Sequence, residues 1–222
     1  MKDKYIFSWL VVMLTMTSGL AHSDTNNGEL FEVSGLQLAI SPPEGWSAVW
    51  MSGDPDGQYF IEYLPEGDDV NSWRDGYIYV QRTAFTQDTL DKIERAGYSM
   101  LDFAFESFQY NAKITCPGMF FRSKPERENI NNLEYVLGAG YCDKYGDAAP
   151  YGESTVFAYA WDGEFLFNVK LAWRPHSKDD QLEHPHWPIP QERVAFTFDI
   201  LKSAFLCGGD EYEECPSLTG DN

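Results

Sequence analysis

Positive charge is scarce in this chain: 16 Lys+Arg stand against 35 Asp+Glu, for a formal charge of −19 and a pI near 4.4. A nucleic-acid binder needs a basic footprint that releases phosphate counterions, so that class is excluded. A surface built to sit on anionic lipid head groups is excluded for the same reason. Histidine is nearly as scarce, with only His176, His184 and His186 after residue 23, and no helical H-E-x-x-H is present. No pair of cysteines has the close C-x-x-C spacing of a structural zinc site. Internal repeats and low-complexity linkers are missing too, so 222 residues read as one domain with a substantial core. Aromatic residues, by contrast, reach 16%, far too many for a disordered acidic chain.

A short apolar run opens the chain. Lys2 and Lys4 precede a short apolar run over residues 6–16, and Ala21-His22-Ser23 puts small residues where a signal peptidase reads. That run is too short to span a bilayer, and polar sequence follows from Asp24. No cysteine stands at the cleavage region to carry a lipid. The expectation is a signal peptide over residues 1–23 and a mature domain over 24–222. Cleavage removes Lys2, Asp3 and Lys4, which moves the charge from −19 to −20. The protein is expected to be exported, to a periplasm or beyond the cell, with no stable membrane insertion afterwards.

All four cysteines, Cys116, Cys142, Cys207 and Cys215, lie in the mature part. An even count in an exported chain reads as two disulfides with three possible connectivities. Cys116–Cys142 and Cys207–Cys215 are preferred because each closes the shorter loop available. Chain-entropy arithmetic gives roughly 2.5–3.5 kcal/mol per bridge. The second would staple an acidic tail carrying Asp210, Glu211, Glu213 and Glu214 back on the end of the last helix.

Along the chain, alternation predicts strands over 30–40, 46–51, 59–64 and 77–83, separated by Pro42-Pro43 and by the turn Asp54-Pro55-Asp56-Gly57. Residues 70–73 read as a short helical piece. A long helix follows over 88–108, its stripe of Leu90, Ile93, Met100, Leu101, Ala104 and Phe108 running through Gly97. Residues 113–121 read as interrupted strand or loop. Residues 133–142 read as a strand in which Gly138 and Gly140 mark close backbone approach. Residues 155–173 form the best local pattern, two alternating runs around Asp162-Gly163, the composition of a tight hairpin. A two-residue turn there would set Ala160 opposite Phe165 and Ala158 opposite Phe167. Four prolines over 174–190 predict an irregular surface excursion, and a last helix carries Val194, Phe198, Leu201 and Phe205 on one stripe. Phe165, Phe167, Val169 and Leu171 should meet that stripe, or the 88–108 helix, in the larger core.

This element order, with Pro42-Pro43-Glu44-Gly45-Trp46 after the first strand, resembles the PsbP-like and DcrB-like group of small exported bacterial proteins. Ile61-Glu62-Tyr63-Leu64-Pro65-Glu66-Gly67, then Trp73 and the strand 77–81, carry the same resemblance. It implies an α+β fold, a mostly antiparallel sheet flanked by helices on both faces. It also implies a protein that binds other proteins rather than a catalyst, and it carries no catalytic residue onto this chain.

Chemistry is thin in the residues themselves. Gly152-Glu153-Ser154-Thr155-Val156 holds half of a nucleophile elbow but has Val where the second Gly belongs, and a strand follows it. His184-Pro185-His186 could hold a cation with Asp180 or Glu183, yet it sits on a proline-rich segment without a rigid frame. The acidic turns 54–57 and 66–69 lack the distal bidentate Glu of a calcium loop. No metal or other cofactor is called for. Three readings therefore stand: a non-catalytic exported protein that binds another protein with a basic surface, one form of which is an immunity or inhibitor protein; a hydrolase using scattered carboxylates or His176, His184 and His186; and a carrier of a small ligand or metal.

Overall fold

Alternation turns into pairing along most of the chain, and in the computed structural model every pairing is antiparallel. The structure describes residues 28–74, 76–183 and 191–218, so the expected leader, His184 and His186 lie outside the described residues. The strands are β1 (Gln37–Ala39), β2 (Trp46–Gly53), β3 (Tyr59–Pro65), β4 (Tyr77–Ala84), β5 (Phe120–Arg122), β6 (Glu126–Ile130), β7 (Leu133–Cys142), β8 (Glu153–Trp161), β9 (Phe165–Trp173) and β10 (Phe205–Cys207). The helices are α1 (Gln87–Arg95), α2 (Met100–Thr115), α3 (Lys178–Glu183) and α4 (Gln191–Ser203). One sheet of eight strands runs β2-β3-β4-β9-β8-β7-β5, with β6 beside β5 on the same outer edge of β7. β1 and β10 make a separate two-stranded sheet.

Helices cover both faces of the large sheet, as the α+β reading expects. Odd-numbered positions of β7 and even-numbered positions of β8 join Phe167, Val169 and Leu171 in the larger core, where Ile200 and Leu201 of α4 close over them. Phe165, Val194 and Phe198 pack against the same layer. The other face holds Val136, Phe157, Tyr159 and Leu166 against Ile93, Leu101, Ala104 and Phe105 of α1 and α2. Gly138 lets that second layer close, since a Cβ there would lie 2.5 Å from the Phe105 ring and 2.6 Å from Phe157.

Several expectations are corrected. The 88–108 stripe breaks into α1 and α2 at Gly97, whose φ is 82°. The Gly97 N–H donates to the Glu94 carbonyl at 2.8 Å and the Tyr98 N–H to the Ile93 carbonyl at 3.3 Å, a Schellman stop. Ser99 Oγ then accepts the Asp102 N–H at 3.1 Å and starts the next helix. α2 runs to Thr115, so 113–115 are helical and only 120–122 pair as a strand. Residues 30–40 contribute only β1, because the Ser34 and Leu36 carbonyls are taken by the Arg82 guanidinium at 2.8 and 2.7 Å instead of by a neighbouring strand. Residues 70–73 make a single turn, not a helix.

The hairpin keeps its faces but not its register. Ala160 pairs with Phe167 and Ala158 with Val169, two residues along from the expected partners. Asp162 Oδ1 accepts the N–H groups of Glu164 and Phe165 at 2.8 and 2.7 Å, which draws Gly163-Glu164 to the centre of the turn. A slip of two residues returns each side chain to the same face, so the core survives. The proline-rich excursion contains α3, begun by Ser177 Oγ accepting the Asp180 N–H at 3.1 Å while Asp180 Oδ2 accepts the Ser177 N–H at 3.0 Å. Phe205 leaves the helix stripe and is 39% exposed on β10.

Candidate functional site

Two hairpin tips, the end of α4 and the C-terminal disulfide loop meet at one end of the large sheet and leave a cleft of about 620 Å³ between them. Asn131 and Asn132 make the first tip, both at positive φ (52° and 64°), the conformation a two-residue turn of the primed type demands. Asn131 Nδ2 donates to the Lys202 and Ala204 carbonyls at 3.0 and 2.8 Å, which fastens that tip to the end of α4. Trp161 and Asp162 come from the second tip, and Phe205 from β10. Tyr212, 45% exposed, comes from the disulfide loop.

The Cys207–Cys215 disulfide holds the loop that carries Tyr212. Cys116 is joined to Cys142, and Cys207 to Cys215. Cys207 is buried on β10, beside Leu206, which pairs with Leu38 of β1. The Gly208 N–H donates to the Glu213 carbonyl at 2.7 Å, closing the loop that carries Tyr212. Asp210, Glu211, Glu213 and Glu214 are exposed, in a segment stapled by Cys207–Cys215 as expected, and that stapled loop lies beside the cleft. Beyond Cys215, Leu218 packs back on the main core.

The cleft is acidic and aromatic. Glu134 and Asp162 line it, with Tyr135, Trp161, Phe205 and Tyr212, and among the described residues no Lys, Arg or His does. Glu134 is also held by Arg127, whose Nη1 donates to it at 2.9 Å. The sequence does not announce this site because its parts lie far apart in the chain; Asp162-Gly163 marks a hairpin turn but not the cleft beside it.

A second polar group lies on the α2 face, over β3, β4, β8 and β9. Lys170 Nζ stands 5.2 Å from the Tyr77 and Tyr79 ring centres, Tyr77 donates its hydroxyl to Glu62 at 2.7 Å, and Arg174 Nε donates to Glu153 at 3.0 Å. Arg174 also lies 3.9 Å over the Trp73 ring. Burial pushes the Lys170 amine down, with Glu153 and Glu62 opposing, and pushes the Tyr77 hydroxyl well up. Among the described residues two cations here face two carboxylates, a balanced group. This is a structural knot in the sheet.

The sequence candidates for chemistry do not assemble. His176 is exposed ahead of α3, with its backbone N–H donating to Asp180 Oδ2 at 3.0 Å. Ser154 is buried inside β8, where no elbow forms. Asp54 accepts the Asp56 N–H at 3.0 Å and the Asp68 N–H donates to the Pro65 carbonyl at 3.1 Å, so both acidic segments are turns. Among the described residues no group of three or more His, Cys, Asp or Glu could hold a metal ion, and no helix is long and apolar enough to cross a membrane.

Compared with solved structures, the chain is similar to the solution structure of cyanobacterial PsbP (CyanoP) from Synechocystis sp. PCC 6803. The identity is 12% and the TM-score 0.38, over 85% of this chain and 98% of that one. That is the group to which the Pro42–Trp46 and 61–67 passages pointed, and a likeness of this size transfers no residue role. No family model and no curated protein matches the chain.

Proposed function

We propose that this chain is an exported, non-catalytic protein that binds another protein, and that a basic segment of the partner enters the cleft between the two hairpin tips. The observation that carries this reading is the lining itself: Asp162 and the Arg127-paired Glu134 stand beside the exposed rings of Phe205 and Tyr212, with no cation lining the cleft among the described residues. Aromatic faces attract Lys and Arg heads and cover their apolar stems, while the carboxylates supply the counter-charge. The charge of −20 expected after cleavage, from −19 for the full chain, would speed encounter with a cationic partner and repel acidic ones. Two disulfides fit an oxidising compartment. An immunity or inhibitor protein, covering a basic surface of its target, is one form of this role.

Affinity capture from a periplasmic extract tests it, using the wild type beside Tyr212→Ala and Asp162→Asn. The expected result is a saturable basic partner, released by salt and lost from both variants. A partner retained equally by both variants, or no saturable partner at low salt, would overturn the reading.

A further inference from the structure

A second cleft, of about 290 Å³, opens between the C-terminal half of α2 and the edge strand β5, well apart in sequence from the first. Glu106, Gln109, Tyr110, Lys113, Phe120 and Arg122 line it. Gln109 is 1% exposed, and among the described residues neither its Nε2 nor its Oε1 has a hydrogen-bond partner. An amide buried in that way costs stability, and an apolar side chain of the same length would remove the cost. The same face of α2 one turn earlier carries Phe105, which packs against Phe157 with ring centres 5.6 Å apart. Packing therefore gives no reason for an amide at 109.

The surroundings of that amide supply one. Lys113 and Arg122 bring two cations against the single carboxylate of Glu106, a local positive excess in a chain of charge −19. Arg122 is 56% exposed and stands 3.8 Å from Glu106, a loose pair that solvent already competes for. Lys113 makes no ion pair among the described residues. A primary amide with both atoms free presents one donor beside one acceptor, which matches the C=O and N–H of another amide. Cations just outside it match a carboxylate carried on the next carbon, through charge-assisted hydrogen bonds. Tyr110, 43% exposed, and Phe120 offer apolar surface to a side chain.

We propose that this cleft binds a carboxylate borne on the carbon next to an amide nitrogen, the chemistry shared by a peptide C-terminus and an N-acyl amino acid. The site is independent of the basic-segment cleft, and either can fail alone.

The test is titration of the ¹⁵N-labelled, disulfide-intact protein with N-acetyl-alanine, its carboxamide, and N-acetyl-tetraalanine with a free carboxylate. The Gln109 side-chain NH₂ pair should shift saturably with N-acetyl-alanine, and the carboxamide should bind at least about tenfold more weakly, the loss of the charge-assisted contacts. Lys113→Gln and Arg122→Gln, both on exposed side chains, should each weaken binding by a similar factor. Gln109→Met should keep or raise the melting temperature and lose the binding, a combination that a merely structural glutamine would not give. Tighter binding of the tetrapeptide assigns the site to peptide ends, and equal binding assigns it to the small acyl amino acid. Equal affinity for acid and carboxamide, or a Gln109 pair unmoved at the solubility limit of N-acetyl-alanine, would overturn the proposal.

Discussion

The Arg82 guanidinium donates to the Leu36 carbonyl at 2.7 Å across 46 residues of chain. It donates also to the carbonyls of Ser34, Pro55 and Gly57, and lies 4.7 and 4.9 Å from the ring centres of Tyr59 and Phe165. The side chain is 1% exposed, so one cation replaces the sheet partners that the 30–40 segment lacks.

Replacing Arg82 by Met should therefore leave four carbonyls short of a donor. The expected cost is about 3–5 kcal/mol, the range for breaking a buried charged network from one side. Lys should not rescue it, because a single ammonium cannot reach the same fork of acceptors. Urea unfolding measures the cost, and a loss below about 1 kcal/mol would show that the 34–36 segment is held by other contacts.

The pattern that placed Arg82 inside was already in the sequence. Ile78, Val80 and Arg82 alternate on one face of β4, and the first two are core residues, so the third had to point the same way. Faces were legible throughout for that reason: period two survives a shifted register, as the 155–173 hairpin shows. Boundaries were less so, because they depend on single atoms, such as the Asp162 carboxylate at the turn or the Gly97 N–H that ends α1. The cleft was not legible at all. Residues 131–134, 161–162, 204–206 and 212 meet only through the sheet, α4 and a disulfide, and no local pattern encodes that meeting.

Phe167 tests the larger core directly. It is buried between Ala160 on β8 and Arg82 on β4, in the layer that α4 covers. Phe167→Ala should cost about 3–5 kcal/mol, the range for emptying a packed aromatic site. Chemical denaturation should show the midpoint falling with an unchanged slope. A loss near 1 kcal/mol would mean that the layer collapses into the space.

Tyr59 and Tyr135 are two of the buried tyrosines that tie stability to alkaline pH. Burial raises the Tyr59 hydroxyl to about 12, with the Arg82 charge opposing, and raises Tyr135 to about 12 by burial alone. In the unfolded chain both titrate near 10, so above that pH the unfolded state sheds protons that the folded state keeps. Their contribution is complete below pH 10 and is lost as the pH climbs through 10 toward 12. Each is worth up to about 3 kcal/mol at the top of that window. Tyr135→Phe should flatten the fall in unfolding free energy across it, and an unchanged slope would remove Tyr135 from the account.

The two disulfides should fail in different ways. Cys116–Cys142 ties the end of α2 to the end of β7, inside the domain, and closes a separation of 26 residues. Its loss should lower the melting temperature by several degrees for a domain of this size. Cys207–Cys215 spans only 8 residues, and on sequence grounds its loss would simply free an acidic tail. The structure changes that expectation, because Cys207 is buried on β10, β10 pairs with β1, and Leu218 packs on the core beyond the bridge. Removing it should expose the amides of β1 and β10 to hydrogen exchange and displace Tyr212, while β7, β8 and β9 keep their protection. Exchange mass spectrometry of the two double Cys→Ala variants separates the cases. Uniform loss of protection in the Cys207/Cys215 variant would mean that the small sheet is part of the main folding unit rather than a clasp on its edge.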